Sequence, residues 1–428
     1  MKVHILLSKM PLKQLILFSL MALTVTTAFS QTPFSAPREE KLLNGLKLIM
    51  FDVPTSDKVT LKVRVHAGSA FDPQGKEGLM KLLAANIFPN PEAKEFFTDL
   101  GGSMSVESNY DFIQVNATSK PEGFLQMLET VANAVANVDI DKETTAKLKA
   151  AQLKAIDSLN GNPAYIAEEA AAARLFGTFP YGRPVDGTAA SITKIDFADL
   201  LDARQRFFTS DNATVLIAGK IDKDLTYRAV RRYFGAWLKS DKRVPSTFKQ
   251  PDDPPAGVQI IDSPVADKFE VRFATRGTSR SSNNLTAYSI AAAVIEDRLR
   301  SQLPADANGT LSVESVDHVL PGSFVIRFSG TKQIGAAKVE ANDIIPKALS
   351  TPVTEAEFQK ARPLAMSHLI ESDIYDRWLD VDTYRSESPD AFKKRVSSVS
   401  LADVQDVMSR LKAQPIAAVV VSSNKPSE

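Results

Sequence analysis

The stretch Asp52-Val-Pro-Thr-Ser-Asp-Lys58, running into Val59-Thr-Leu-Lys-Val-Arg-Val65, returns later in the chain. It reappears as Asp262-Ser-Pro-Val-Ala-Asp-Lys268, running into Phe269-Glu-Val-Arg-Phe273. In both places a proline-bearing turn feeds an alternating segment of period two, the pattern of a half-buried strand. A second pair of matches lies further along. Asp196-Phe-Ala-Asp-Leu-Leu-Asp202 corresponds to Ser400-Leu-Ala-Asp-Val-Gln-Asp406, and each precedes an apolar run, Ala213-Thr-Val-Leu-Ile-Ala-Gly219 and Ile416-Ala-Ala-Val-Val-Val421. Asp196 and Ser400 are residue types that cap helix N-termini. Two matches in the same order imply an internal duplication. Pro245, Pro251, Pro254 and Pro255 crowd the segment between the copies, where proline blocks helix and central strand. Residues 241–257 are therefore expected to be a linker between an N-terminal domain, 31–240, and a C-terminal domain, 258–428. Each copy reads as strands, helices, a strand hairpin, helices and a last strand. The fold class expected is α+β, with two homologous domains, each a sheet with helices packed on one face.

The chain has 428 residues with 44% hydrophobic and 24% charged, which is ordinary for a globular protein of more than one domain. Lys+Arg and Asp+Glu are both 51, and no dense basic run occurs, so nucleic acid is not an expected partner. Residues 1–30 read as a secretory signal peptide. Lys2, Lys9 and Lys13 give a positive n-region, Leu15 to Val25 is a short apolar run, and Ala28-Phe-Ser30 is a small-x-small cleavage site. Its removal leaves no segment apolar enough to span a membrane. There is no cysteine, which excludes disulfides, thiol nucleophiles and Cys-based zinc sites. Export to the bacterial periplasm is the expected localisation.

Gly78-Leu-Met-Lys-Leu-Leu-Ala-Ala-Asn-Ile-Phe88 is the most informative segment for chemistry. Val63-Arg-Val-His-Ala-Gly-Ser69 precedes it and Leu100-Gly-Gly-Ser-Met-Ser-Val-Glu-Ser-Asn-Tyr-Asp111 follows it. Further landmarks are Asn44-Gly-Leu-Lys-Leu-Ile49, Asn162-Pro163, Pro180-Tyr-Gly-Arg-Pro184, Gly187-Thr188, Ser210-Asp-Asn-Ala213 and Gly219-Lys-Ile-Asp222. This ordered set resembles the pitrilysin/insulinase family of inverted-zincin metallopeptidases, in its short two-domain bacterial form. The resemblance implies a metallopeptidase-like α/β roll in each half, and a helix bearing H-x-x-E-H, with two zinc ligands and a general base. The corresponding positions here are Lys81, Ala84 and Ala85, and the position of the third ligand is Ala155. Lysine is cationic and alanine has no donor atom, so the zinc that the family would carry finds no ligands, and no cofactor is expected. Loss of the metal would make a leftover cluster of carboxylates and imidazoles costly to desolvate, and alanine removes that cost while favouring helix.

The resemblance also implies a substrate-anchoring Arg followed seven positions later by a Tyr in the second domain. The aligned positions are Pro304 and Leu311. Of the four histidines, His4 lies in the leader, His66 at a strand end, His318 outside any motif, and His368 on a helical stretch expected over 357–374. The acidic pairs Glu168-Glu169, Asp252-Asp253 and Glu296-Asp297 are expected to be solvated faces, and Trp237 and Trp378 core or interface. No G-x-S-x-G, P-loop or dinucleotide-binding glycine pattern occurs. The reading that results is a secreted, zinc-free pseudopeptidase. Its expected partner is a homologous zinc peptidase subunit carrying H-x-x-E-H, or a second copy of itself, with unfolded peptides as ligands. A stand-alone peptide-binding protein and an active peptidase with an unrecognised site remain the alternatives.

Overall fold

The computed structural model describes residues 36–240, 248–302, 309–330, 345–370 and 373–423. The signal peptide, Pro304 and part of the linker, 241–247, lie outside these. Among the described residues, eleven strands form two sheets. In the first half they are β1 (Arg38–Lys41), β2 (Lys47–Asp52), β3 (Val59–Val65), β4 (Ser103–Ser108), β5 (Ile113–Ser119) and β6 (Ala213–Gly219). In the second they are β7 (Val258–Asp262), β8 (Phe269–Arg276), β9 (Gly309–Val316), β10 (Ser323–Gly330) and β11 (Ala417–Ser422).

The sheet orders are β1-β2-β6-β3-β5-β4 and β7-β11-β8-β10-β9. Apart from the extra β1 the two are the same arrangement. The strand after the proline turn is central in each sheet (β3, β8), the last strand slots beside it antiparallel (β6, β11), and the first strand runs parallel to the last (β2, β7). The matching helices after Asp196 and Ser400 each open with a capping box, closed by Asp199 and Asp403.

Each sheet buries one face under its own helices. Leu48, Met50, Leu61, Val63, Val215 and Ile217 form the first core with Leu82, Leu83, Leu128 and Val131 from helices. Val271, Phe273, Ile326 and Val420 form the second with Ile290, Val294, Val407 and Leu411. The opposite face of each sheet is not open to water, as helices on one face alone would leave it. The Pro163–Phe176 helix of the first half lays Ala167, Ala171 and Leu175 against Ala274, Val325, Val419 and Val421 of the second sheet. The Ile374–Tyr384 helix of the second half returns the arrangement, with Leu379 and Trp378 against Ile49, Phe51, Leu216 and Ala218. The helical stretch expected over 357–374 is two helices: Glu355–Ile370 ends, and Asp373 caps a new one by accepting from the Tyr375 amide at 2.9 Å. A side-chain cap of this kind starts a helix rather than continuing one.

Candidate functional site

The Leu79–Ala85 helix starts at Gly78, whose φ of 89° is a left-handed conformation that disfavours a side chain. Space forbids one as well, since a Cβ there would lie 2.7 Å from the Asp186 carbonyl oxygen. Leu79, Met80, Leu82, Leu83 and Ala84 are buried, so the helix is held by the core on nearly every side. Asp72 fixes its start: the carboxylate accepts from the amides of Gly78 at 2.7 Å and Met80 at 2.8 Å. Burial pushes the Asp72 carboxyl up to about 7, against the pull of those two amides.

Lys81 stands partly exposed on this helix, and its ammonium forms an ion pair with Asp186. Ala84 is buried in the core and Ala85 is exposed. Ala155 is exposed on the Lys142–Asn160 helix. Gln152, one turn before it, ties that helix to the site by donating to the carbonyls of Gly78 at 3.2 Å and Asp186 at 2.8 Å. The Glu169 carboxyl is pushed up to about 7 by burial, with Asp186 and Glu168 adding repulsion. Burial, then the charges of Glu169 and Asp186, also push the Tyr165 phenol up. The positions around the helix thus hold one lysine, three alanines and the carboxyls of Asp186 and Glu169, with the Asp72 carboxylate already taken up by two helix amides. A zinc ion does not fit this set: zinc needs three protein donors and an open water position. Lys81 adds a positive charge where the resemblance implies the first ligand, and the alanines donate nothing. Among the described residues no group of three or more His, Cys, Asp or Glu side chains is placed to hold a metal.

Leu311 is buried in the second core and pairs with Phe328 across the sheet, so its side chain belongs to packing. Pro304 falls outside the described residues. Trp237 is buried, donating to the Phe208 carbonyl at 2.9 Å, and Trp378 lies between the halves. Glu168 corrects the expectation of a solvated acidic face. It bridges the two halves, accepting from Arg272 at 2.8 Å and Arg327 at 2.7 Å. Arg272 is buried and Arg327 half-buried; Glu270 and Glu314 of their own half pair with them as well, and Glu168 adds a carboxylate shared by both from the other half.

A cavity of about 680 Å³ lies between the halves, lined by His66, Thr214, Tyr181, Asp111, Asp382 and Thr383 among others. Thr383 and Thr214 hold the two nitrogens of the His66 ring, each at 2.9 Å. Burial, followed by the charges of Arg64 and Lys47, lowers the His66 pKa to about 3, so the ring is neutral. Two of the lining residues, Asp111 and Tyr181, join His318 in a cluster, with Asp111 at 2.9 Å from the His318 ring and at 3.3 Å from the Tyr181 hydroxyl. Sequence reading did not find Asp72, Asp186 or this cluster. The Asp-Gly of Asp186-Gly187 signals a turn, but nothing local signals that the turn reaches Lys81.

Comparison with known proteins follows the same outline. The family profile described as Insulinase (Peptidase family M16) matches residues 47–189, and the profile described as Peptidase M16 inactive domain matches residues 194–363. A protein named as an uncharacterized zinc protease from Rickettsia bellii is 23% identical over 208 residues, 47% of this chain and 50% of that one. A probable mitochondrial-processing peptidase subunit beta from Arabidopsis thaliana is 22% identical over 224 residues, 50% of this chain and 41% of that one. The chain spans about half the length of the curated relatives it matches. A Pseudomonas fluorescens structure described as a peptidase M16 inactive domain superposes with a TM-score of 0.79 at 17% identity, covering 92% of this chain and 99% of that one. A Helicobacter pylori protease superposes equally well, with a TM-score of 0.79 at 14% identity, covering 91% and 100%. At such identity the likeness is one of fold.

Proposed function

This chain belongs to the insulinase-like M16 peptidase family, and on that premise we propose that it is a secreted, zinc-free pseudopeptidase. It serves as the non-catalytic subunit of a chamber whose zinc is carried by a homologous partner. The observation that carries this reading is the donor set of the Leu79–Ala85 helix: Lys81, Ala84 and Ala85, with Ala155 on the neighbouring helix. Zinc peptidases use the metal to make a hydroxide near neutral pH and a carboxylate to take the proton. Neither agent has a residue here. The scaffold around the missing agents is intact, from the Gly78 turn to the Asp72 cap and the Gln152 tie. A helix kept in place without its chemistry fits a role in shape: closing a cavity, stabilising a partner or holding a peptide. The Arabidopsis relative is itself named as one subunit of a processing peptidase.

The test is the metal content of the purified chain after dialysis, measured beside peptidase activity. Zinc well below one atom per chain and no cleavage are expected. Chelator-removable zinc at one per chain, with cleavage that departs when it is removed, would overturn the reading. Recovery of the chain from its native envelope with an equimolar homologue bearing H-x-x-E-H would identify the partner.

One observation favours a second reading, in which the chain binds unfolded peptides alone. The cavity of about 680 Å³ between the halves is of a size that can take a short stretch of peptide. Peptide binding by the isolated chain, with no homologue recovered beside it, would decide for that reading.

A further inference from the structure

Four strands end the two sheets, and three of them are guarded. β1 reads Arg38-Glu-Glu-Lys41, β4 carries Glu107, and β9 carries Glu314. Charges on an edge strand discourage pairing with another chain. β7 differs in what it exposes: its one charge, Asp262, stands at the strand's end, and Val258 and Ile260 are apolar side chains 41% and 60% exposed.

The duplication explains the difference. Val63 pairs with Val215 and Leu61 with Ile217, as Phe273 pairs with Ala418 and Val271 with Val420. Leu48 and Met50 lie beside Val215 and Ile217, as Val258 and Ile260 lie beside Ala418 and Val420. Val258 and Ile260 are therefore the counterparts of Leu48 and Met50, which are fully buried. In the first half, β1 pairs antiparallel along β2, setting Arg38 opposite Met50 and Glu40 opposite Leu48. The Lys223–Phe234 helix adds Val230 and Phe234 to the same core. Among the described residues the second half has no counterpart of either element.

We propose that the edge of β7 is an interface with a second copy of this chain, two β7 strands pairing antiparallel about an axis through Gln259. In this register Val258 faces Ile260 of the partner subunit and Ile260 faces Val258 of the partner subunit, on the one face where both are exposed. Asp262 falls opposite Ala256 of the partner subunit, so no like charges meet. The strand is its own complement, and the contact joins the two five-stranded sheets into one. A symmetric pairing removes both unguarded edges at once, whereas a different strand would leave a copy's edge to be covered again. The contact is small, so association in the range of about 10–100 μM is expected rather than an obligate dimer. This surface does not include the Leu79–Ala85 helix, and its outcome does not decide whether the chain is free of zinc.

The experiment is sedimentation velocity on the full chain across a concentration series, with two variants. The wild type is expected to pass from monomer to dimer. Ile260→Lys alters an exposed side chain and is expected to stay monomeric with an unchanged circular dichroism spectrum and melting temperature. The chain has no cysteine, so Gln259→Cys gives a single thiol, which is expected to form a disulfide-linked dimer on oxidation. Glu107→Cys, on the guarded β4 edge, is expected not to. A wild type that stays monomeric at about 200 μM, well above the range expected of so small a contact, would overturn the proposal. So would a dimer indifferent to Ile260→Lys, or cross-linking that is no better at 259 than at 107. Binding of an extended peptide by a monomer, lost in Ile260→Lys, would assign the edge to another occupant and likewise sink it.

Discussion

The two helices that cross between the halves, Pro163–Phe176 and Ile374–Tyr384, are counterparts that solve the same problem with opposite chemistry. Each begins with a side-chain cap, Asn162 and Asp373, accepting from the amide two residues on. Each covers the outer face of the other half's sheet. Against the second sheet the cover is alanine and leucine, with Glu168 as the charged contact to Arg272 and Arg327. Against the first sheet Leu379 and Trp378 are apolar cover too, but a row of acids is added to them. Asp373 and Asp376 take Lys62 at 2.5 and 2.8 Å, Asp376 and Asp380 take Arg64 at 3.1 and 2.7 Å, and Asp382 takes Lys47 at 3.2 Å. Lys62 and Arg272 hold the same place in the duplicated strand, and both are buried cations matched from the other half. Two residues on, Arg64 in the first copy is Ala274 in the second. A buried cation on the outer face of a sheet needs a counter-charge, which the opposite half supplies for Lys62 and shares with Glu270 for Arg272. Strand and covering helix therefore diverged together, and neither half can be expected to fold alone with its outer face unchanged.

The largest effect expected from this comparison is at Arg64, whose side chain is only 2% exposed. It also donates to Gln114 at 2.5 Å and lies 4.0 Å from the Phe112 ring centre. Arg64→Ala leaves the Gln114 Oε1 without its donor and Asp376 and Asp380 short of a partner, at a cost of about 3–5 kcal/mol. Urea unfolding measures it. A loss under about 1 kcal/mol would mean that the acidic helix needs no match beneath it.

Next in size is an acid dependence confined to the ionic crossing. His66 is neutral in the folded protein, with its pKa lowered to about 3, and titrates near 6.5 when unfolded. Between those values the unfolded chain binds the extra proton, so stability falls as pH drops from about 6.5 toward 3. At pH 4 the loss is up to about 3 kcal/mol. Other carboxylates add their own slopes, so the quantity to measure is the difference between wild type and His66→Gln. The variant should be less stable at pH 7 and lose less on acidification. Parallel pH profiles would show that the threonine-held ring does not resist protonation.

Much of this comparison was legible in the sequence, and the boundary is physical. The duplication shows because Asp52–Lys58 and Asp262–Lys268 preserve a turn, and Asp196 and Ser400 preserve a cap. Both depend on residues near in sequence. The spacing of Lys81, Ala84 and Ala85 predicts that they share one helix, and they lie on one, Leu79–Ala85. The crossing of helices does not show, because Glu168 meets Arg327 and Lys62 meets Asp376 only through the tertiary fold. For the same reason Glu168 read as a solvated acid; the break in the stretch 357–374 is by contrast local, a cap at Asp373 that the helical pattern around it hid. Leu311 shows the converse limit: its register placed it beside a motif, while its strand face turned it into the core.

The apolar crossing should answer to volume where the ionic one answers to charge. Ala171 is 3% exposed against the second sheet, and Ala171→Leu adds bulk with no room to relax, costing about 1–3 kcal/mol. A neutral or stabilising outcome in thermal unfolding would mean that the contact is loosely packed. The smallest effect separates the two duties of Asp373. Its side chain is 41% exposed and shares Lys62 with Asp376, so the ion pair is worth less than about 1 kcal/mol. Its cap on Tyr375 is the other duty, and asparagine caps as well as aspartate. Asp373→Asn should therefore cost little, and Asp373→Ala about 1 kcal/mol more, because only alanine leaves the amide without an acceptor. If the two variants are equally unstable, the charge carries the contribution and the cap does not. The crossing would then be ionic even at its exposed end.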